Sequence, residues 1–362
     1  MMPIISITPA LLLYNGEIMR HKRFNFSQLL SLHLALLLLS LFSFSPSINA
    51  REVVDMDGTV VIVPEQIQRV VTLGATPVIN SLVFAVGGGN LIVNGLPTFA
   101  LHPRWRHQYD FAPQLKTLPM IQNPDRSVKP EAILEMQPDV VLTMDRFSIN
   151  VLKKLGIPAI YLSWRHPEDV KKAIAVLGTL FNTQPQALAY QQRFDEIIVY
   201  VNKTISQSTS PQPRVLYLNP KTLSQPHLVA EWWIRAAGGK SVTDNNRSLE
   251  TYRFSLEQLL SWNPEVIIVS NAENVRLLQQ DPRFRNLSAV QNQRIFAAPV
   301  VAHTWGNRTA EQPLTVLWAA SCFYPELFSV REVEKIIYDF YNDIFATSFS
   351  TEQIQEFLKT TN

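Results

Sequence analysis

Two stretches of the sequence repeat one pattern: Lys129–Met144, which reads KPEAILEMQPDVVLTM, and Ser255–Ser270, which reads SLEQLLSWNPEVIIVS. Each has a glutamate at its third position, an apolar pair soon after it, a proline at its tenth position followed by an acid, and then a β-branched run. The first half of each stretch predicts a short helix, and the second half predicts a strand buried on both faces. Because a helix followed by such a strand is common in α/β proteins, this match alone could arise by chance.

A second pair of segments matches in the same order along the chain. Arg69–Leu73 (RVVTL) and Arg214–Leu218 (RVLYL) each lead through a helical run to a glycine turn, at Gly87-Gly88 and at Gly238-Gly239. Two units repeated in the same order predict two lobes of similar construction. Because strands alternate with helices, we expect an α/β fold in which each lobe is a mostly parallel sheet flanked by helices.

The segment between the two units, residues 167–206, has the pattern of a long helix. Pro167 and the acids after it suit a first helical turn, and apolar residues follow at helical spacing. A break is expected near Asn182–Pro185. We therefore expect an N-terminal lobe over residues 51–166 and a C-terminal lobe, with the C-terminal helices, over residues 207–362, joined by one long and stiff linking helix.

The first fifty residues have the features of an export signal. A basic segment at residues 20–23 precedes a leucine-rich run over residues 29–41, and a small residue, Ala50, follows at a suitable cleavage position. The apolar run is shorter than the roughly 20 residues of a spanning helix, which favours a cleaved signal over an uncleaved anchor. We expect residues 1–50 to be the signal region, with translation starting at Met19, cleavage near Ala50 and a mature protein in the periplasm.

Composition excludes several classes of protein. The 362 residues include 32 basic and 30 acidic ones, 46% are hydrophobic, and Cys322 is the only cysteine. Removing residues 1–50 takes away three basic residues and one acidic residue, which leaves 29 of each and a net charge of zero. The apolar content excludes a disordered protein, the single cysteine excludes a disulfide scaffold, and the balanced charge gives no basic field for nucleic acid. We expect no nucleic-acid partner.

The chain resembles the extracytoplasmic solute-binding proteins of ABC importers for iron complexes, haem and cobalamin. The resemblance covers residues 54–345 and is carried by phrases in order: RVVTLGATPVINSLVFAVGG, KPEAILEMQPDVVLTM, KKLGIPAIYLSW, SLEQLLSWNPEVIIVS, RIFAAP and YPELF…FYNDIF. It implies a binding protein rather than an enzyme, with a ligand held between two lobes and an ABC permease in the inner membrane as partner. We expect a monomer.

The same resemblance implies two permease-docking residues. In the family each lobe carries an acid that meets arginines of the permease, and by position in the repeat these would be Glu131 and Glu257. An acid in the first turn of a helix is also favoured by the helix dipole, so both readings can hold together.

Candidate ligand contacts follow from a rule for open α/β sheets, in which ligands bind beyond the carboxyl ends of the strands. The residues at those positions are rich in aromatic rings and arginines, which suit a bulky anionic metal chelate such as an iron–siderophore complex. They are Thr76, Trp105, Tyr109, Arg146, Trp164 and Arg165 in the first lobe, and Tyr252, His303, Trp305 and Arg308 in the second. The loop at residues 303–308 is the strongest candidate, although Arg308 could merely flank a helix cap.

Other cargoes and functions stay open at this point. The five histidines after residue 50 show no ligand pair at close helical spacing, so we expect no metal bound by the protein itself and no resident cofactor; an Fe(III) chelate would be cargo. The alternative cargo is an oxyanion such as molybdate or tungstate, or a free metal ion, since a helix start at Thr76 with an arginine suits a small anion. An exported hydrolase is a more distant alternative, because the chain has no G-x-S-x-G elbow, H-E-x-x-H motif or P-loop, and we assign no catalytic residue.

Overall fold

The structure, a computed structural model, describes residues 50–123 and 129–359. The expected signal region, with its start at Met19, lies outside the described residues except for Ala50. The described residues belong to one compact unit.

Strands and helices alternate along most of the described chain. The strands are β1 (Ala50–Val54), β2 (Val60–Pro64), β3 (Val70–Leu73), β4 (Val140–Thr143), β5 (Ala159–Tyr161), β6 (Arg214–Tyr217), β7 (Ser224–Gln225), β8 (Lys240–Ser241), β9 (Tyr252–Arg253), β10 (Val266–Val269) and β11 (Ile295–Ala297). The α-helices are α1 (Thr76–Phe84), α2 (Gln108–Phe111), α3 (Pro130–Glu135), α4 (Arg146–Lys154), α5 (Asp169–Phe181), α6 (Gln184–Ile205), α7 (Val229–Ala236), α8 (Leu256–Trp262), α9 (Ala272–Gln280), α10 (Ser288–Gln291), α11 (Gln312–Phe323), α12 (Val330–Ile344) and α13 (Thr351–Leu358).

The N-terminal lobe is built on a parallel sheet with the order β3-β4-β5. Every residue of β3 and β4 is buried, as their continuous apolar runs predict for strands covered on both faces. On the outer side of β3, Ile92 forms a parallel bridge with Val70, so the chain segment that follows α1 takes the place of a fourth strand.

The C-terminal lobe has the same arrangement, with a parallel sheet in the order β8-β6-β10-β11. In the first lobe β3 lies between the Ile92 segment and β4, and in the second lobe β6 lies between β8 and β10. In both lobes the first strand of the repeated unit therefore lies between the second and the third. The two repeated stretches occupy equivalent places, since one forms α3 and β4 and the other forms α8 and β10. The prediction of two similar α/β lobes is confirmed.

The segment at residues 167–206 forms two helices rather than an uninterrupted one. Asn182 takes a left-handed conformation with φ of 57°, and the chain reverses there, within the range in which the sequence predicts a break. The ammonium of Lys171 on α5 lies 2.5 Å from a carboxylate oxygen of Asp195 on α6, which shows that the two helices are antiparallel. The linking helix is therefore α6, whose 22 residues span about 33 Å.

The linking helix belongs to the core of both lobes. It packs against α5 of the first lobe and α11 of the second. Tyr190 of α6 is fully buried, and its hydroxyl donates a hydrogen bond of 2.7 Å to the carbonyl of Ala310. One continuous apolar cluster includes Val70, Tyr190 and Trp233 and joins the two lobes, while each lobe has a smaller cluster of its own on the other face of its sheet.

The close approach of α5 and α6 can be tested at Gly178. A Cβ atom at this position would lie 2.6 Å from the Cβ of Ala187, which is closer than real Cβ contacts come. We expect Gly178→Ala to destabilise the protein by about 1–2 kcal/mol, because overpacking outweighs the gain in helix propensity. In Gly178→Ala/Ala187→Gly the clash is absent and the propensity changes cancel, so stability in urea unfolding returns to within about 0.5 kcal/mol of the wild type. A single variant as stable as the wild type would contradict this packing.

Candidate ligand-binding site between the lobes

The two lobes meet through loops that follow the carboxyl ends of their parallel strands. The Nε atom of Arg308, in the loop after β11, donates a hydrogen bond of 2.8 Å to the carbonyl of Trp164, which follows β5. The Nη2 atom of Arg104 in the first lobe donates one of 2.7 Å to the hydroxyl of Thr304 in the second. These contacts close the centre of the cleft at the edge where open α/β sheets bind ligands.

Arg104 is a cation between the lobes that has no anionic partner among residues 50–123 and 129–359. It lies in a short 3-10 turn, Pro103–Trp105, in which the His102 ring accepts a hydrogen bond from the Arg104 amide. Its guanidinium carbon lies 5.1 Å from the centre of the Trp105 ring. Burial lowers the pKa of Arg104, and no described carboxylate pairs with its guanidinium. Its Nε atom is buried without a hydrogen-bond partner among the described residues.

His303 lies against the same loop from the other lobe. Its ring centre is 4.8 Å from that of Trp105, and its Nδ1 atom is buried without a partner among the described residues. Burial, together with the positive charge of Arg104, lowers the pKa of His303 to about 3. The ring is therefore neutral at physiological pH, and it offers one N–H donor and one lone pair.

The positive charge of Arg308, in contrast, is balanced by a carboxylate. It donates two hydrogen bonds, of 2.6 and 2.5 Å, to the two carboxylate oxygens of Glu250, and the ring of His227 lies 2.9 Å from the same carboxylate. Burial alone would raise the pKa of Glu250, but the hydrogen bonds from His227 and Arg308 outweigh it and lower that pKa to about 2. Arg308 therefore fastens the lobes together without leaving a free positive charge.

The buried carboxylate of Glu311 holds the loop at residues 302–309 of the second lobe in place from its core side. It accepts hydrogen bonds from the amides of Ala302 (3.0 Å) and His303 (2.8 Å), from the Thr309 hydroxyl (2.8 Å) and from the Tyr341 hydroxyl. Burial raises the pKa of Glu311, although each of these hydrogen bonds favours the ionised form. A carboxylate with four donors is well satisfied, so the loop is held in one conformation.

A cavity of about 250 Å³ opens beside Arg104 at one end of the cleft. The first lobe contributes Arg104, Arg106 and His107 to its wall. The second lobe contributes the residues that follow β10 and β11, including the start of α9 at Ala272. The C-terminal segment closes the remaining side with α13 and with Lys359 directly after it.

The structure brings some of the predicted contacts together and places others elsewhere. Trp105, Trp164, His303 and Arg308 meet at the interface between the lobes. Thr76 is fully buried at the start of α1, where its hydroxyl donates to the carbonyl of Thr72. Trp305 is fully buried in the core.

The remaining predicted contacts lie outside this interface cluster. Arg146 is exposed and forms a two-pronged ion pair with Asp57. Arg165 is exposed as well. Of the two tyrosines, Tyr109 lies beneath Lys116, and Tyr252 packs beside aromatic rings of its own lobe.

Sequence reasoning missed the residues that define the charge of the site. Arg104 adjoins Trp105 in the sequence, and a basic residue beside a predicted contact is the signal that could have found it. Glu250 and Glu311 carry no local signal, because their roles depend on Arg308 and on the loop amides, which come close only in the fold.

The two predicted docking residues occupy equivalent surface positions. Glu131 lies in the first turn of α3 and Glu257 in the first turn of α8, and both are exposed. The hydrogen bond from Ser255 lowers the pKa of Glu257, which keeps its carboxylate ionised. The repeat therefore presents one acid on each lobe.

Comparison with known proteins agrees with this architecture. The sequence model of the family described as periplasmic binding protein matches residues 84–302, which is more than half of the chain. This chain belongs to the periplasmic binding protein family. Members of the family are binding proteins and not enzymes, and those with this fold deliver solutes to ABC importers.

Individual relatives are distant and bind different cargoes. The molybdate-binding protein MolA of Haemophilus influenzae is 23% identical over 356 residues, which cover 87% of this chain and 96% of MolA. An iron-uptake system-binding protein of Bacillus subtilis is 24% identical over 194 residues, or 47% of this chain and 58% of that protein. A solved periplasmic solute-binding protein of Veillonella parvula has a TM-score of 0.74 at 24% identity, covering 85% of this chain and 97% of that one.

Two further observations concern this periplasmic binding protein's described residues, 50–123 and 129–359. They contain no group of three or more His, Cys, Asp or Glu side chains that could hold a metal ion. None of their helices has the length and apolarity needed to cross a membrane.

The low pKa of His303 predicts how stability depends on pH. Between about pH 3 and pH 6.5 the unfolded chain binds a proton at this residue that the folded protein does not, so stability falls as the pH is lowered through this window. We expect His303→Gln to remove up to about 1.4 kcal/mol per pH unit from this slope in urea unfolding between pH 4 and 6.

The matched control for this prediction is His166→Gln. His166 is exposed, so its replacement should leave the wild-type slope unchanged. Equal slopes for the wild type and His303→Gln would mean that His303 is not held neutral in the folded protein.

Proposed function

We propose that this periplasmic binding protein captures a small oxyanion, of the molybdate or tungstate class, between its lobes and delivers it to an ABC permease. The observation that carries this proposal is Arg104, a partly buried cation at the interface between the lobes that has no carboxylate partner among the described residues. A buried charge without a partner costs several kcal/mol, and an anionic ligand would remove that cost.

Of the other cations near the cavity, two are already paired with carboxylates and one, Lys359, lies in the cavity wall. Arg308 is paired with Glu250 and Arg106 with Glu356, so neither contributes a free charge. Lys359 also lines the cavity, and it would complement the second charge of a dianion together with Arg104. The first residue of the nine-residue helix α9, Ala272, lies in the same wall, so the positive end of the helix dipole faces the cavity, which favours anions; the side chain of Asn271 caps the amide of Asn274.

The size of the cavity favours an oxyanion over a chelate. Its volume of about 250 Å³ lies below the range of roughly 300–1,000 Å³ that is typical of sites for larger organic ligands. Among the aromatic rings that the sequence offers for a chelate, the three tryptophans, Trp105, Trp164 and Trp305, are all buried in packing. The molybdate-binding name of the Haemophilus relative supports the oxyanion, whereas that of the Bacillus relative supports an iron complex.

Removal of the Arg104 charge tests the proposal. We expect Arg104→Gln to weaken molybdate binding about 100-fold in calorimetry, because charge-assisted hydrogen bonds are worth up to about 3 kcal/mol. The ligand-free variant should be at least as stable as the wild type, since it no longer carries an uncompensated charge. Arg165→Gln, which removes an exposed arginine outside the cluster, should bind like the wild type.

An iron chelate is the other outcome to be distinguished. Native mass spectrometry and metal analysis of protein purified from its own periplasm should find molybdenum or tungsten without an organic ligand. Recovery of an iron complex would overturn the oxyanion proposal and support the chelate that the sequence favours.

Delivery to the permease is proposed to depend on Glu131 and Glu257. Because permease arginines would meet these acids, charge reversal at either position, in Glu131→Lys or Glu257→Lys, should reduce uptake by about tenfold in cells. Binding of the ligand in solution should not change. The control Glu332→Lys reverses an exposed acid in the first turn of α12, and it should leave uptake intact. Wild-type uptake by both docking variants would exclude the docking role.

A further inference from the structure

The two repeated stretches place one exposed leucine on each lobe. In each stretch the apolar pair falls on a helix, α3 in the first lobe and α8 in the second. The first member of each pair, Ile133 or Leu259, is fully buried and belongs to the smaller apolar cluster of its lobe. The second member is not buried, since Leu134 is 47% exposed and Leu260 is 38% exposed. Packing of the core therefore accounts for the first member of each pair but not for the second.

Each exposed leucine lies beside a predicted docking acid. Glu131 precedes Leu134 by three residues, and Glu257 precedes Leu260 by three, so each acid and leucine are neighbours on the surface of their helix. None of the ion pairs within residues 50–123 and 129–359 includes either carboxylate. Each lobe therefore presents one unpaired carboxylate together with one apolar side chain.

These two acid–leucine pairs lie toward the edge of the sheets that carries the cleft. The guanidinium of Arg69, directly before β3, donates a hydrogen bond of 2.9 Å to the carbonyl of Met136 at the end of α3. In the second lobe the guanidinium of Arg214, at the start of β6, donates one of 3.1 Å to the carbonyl of Asn263 at the end of α8. The ends of both helices thus lie where the strands begin, and their first turns point toward the carboxyl ends of the strands.

The chemistry of the two pairs defines the partner that they fit. A carboxylate requires a cation, and an exposed leucine gains free energy only when an apolar surface covers it. Two equivalent surfaces suit a partner that presents the same complementary surface twice. An anionic lipid surface does not fit, because its head groups would repel both carboxylates. A permease with arginines next to apolar side chains meets all of these requirements.

We infer that Leu134 and Leu260 are docking residues for the ABC permease, and that each becomes buried in an apolar pocket beside the place where Glu131 or Glu257 docks. The inference rests on the proposed delivery to a permease, but not on the identity of the cargo. In this interface the acids steer and orient the approach of the protein, and the leucines supply most of the affinity.

The first test measures binding of the purified, cargo-free protein to spheroplasts of the source cells from which its gene has been deleted. We expect Leu134→Ala/Leu260→Ala to bind about tenfold more weakly than the wild type, because two partly exposed leucines lose their burial. This loss should persist in high salt, whereas that of Glu131→Lys/Glu257→Lys should shrink as salt screens the charges.

The matched control for this test is Leu188→Ala. Leu188 lies on the linking helix, outside both repeated helices, and is 55% exposed. The control should bind like the wild type, and all of the leucine variants should unfold at the wild-type temperature, because they replace exposed side chains by a good helix former. Wild-type binding by Leu134→Ala/Leu260→Ala would overturn the inference.

The second test identifies the partner by photo-crosslinking. In a Cys322→Ala background, Leu134→Cys, Leu260→Cys and the control Leu188→Cys are each labelled with a benzophenone maleimide and irradiated on spheroplasts. Mass spectrometry should find a subunit of an ABC permease attached at positions 134 and 260 but not at position 188. Attachment at positions 134 and 260 only to lipid, or to a membrane protein other than an ABC permease, would overturn the inference.

The outcomes separate this inference from the proposed function. If the charge-reversal variant binds weakly and the leucine variant binds like the wild type, the acids dock and the role of the leucines is overturned. If the leucine variant binds weakly and the charge-reversal variant binds like the wild type, the role of the acids fails and that of the leucines stands. Both tests are done without cargo, so a failure of the wild type to bind molybdate would overturn the oxyanion proposal without changing either result.

Discussion

The site depends on one contact, in which Arg104 of the first lobe reaches the hydroxyl of Thr304 in the second. The loop that carries Thr304 cannot easily move, because the carboxylate of Glu311 binds two of its amides from the core side. The guanidinium is therefore held in place before any ligand arrives. A donor group fixed in advance avoids the entropy cost of ordering it on binding. Under the proposed function, this cation, which has no carboxylate partner among the described residues, would be in place to bind an anion.

The repeated stretches predict the fold well because each contains a complete helix-and-strand unit. Burial of β4 and β10 on both faces demands continuous apolar runs, and these are visible in the sequence. The segment at residues 167–206 is harder to interpret, since helical periodicity looks the same in one long helix and in two antiparallel ones. Only the reversal at Asn182 distinguishes them, and the sequence marks it as a break without showing its direction.

The candidate site could be predicted only in part. Four of the residues selected by the rule that ligands bind at the carboxyl ends of strands, Trp105, Trp164, His303 and Arg308, lie together at the interface of the lobes, and their contact with a ligand stays a prediction. It cannot say which charges remain free, because that depends on partners distant in sequence, such as Glu250 for Arg308. The position of α13 is equally hidden. Its apolar face shows that the helix packs on something, but not that it packs on the first lobe.

The most direct measurement is anomalous diffraction at a tungsten absorption edge from crystals grown with tungstate. An oxyanion held between the lobes predicts one strong peak in the cavity, within hydrogen-bond distance of the Arg104 guanidinium and next to the start of α9. A peak at another place on the molecule would contradict the central role of Arg104. If the crystals show no tungsten peak, and the same protein binds an iron chelate tightly in solution, the oxyanion account is also contradicted.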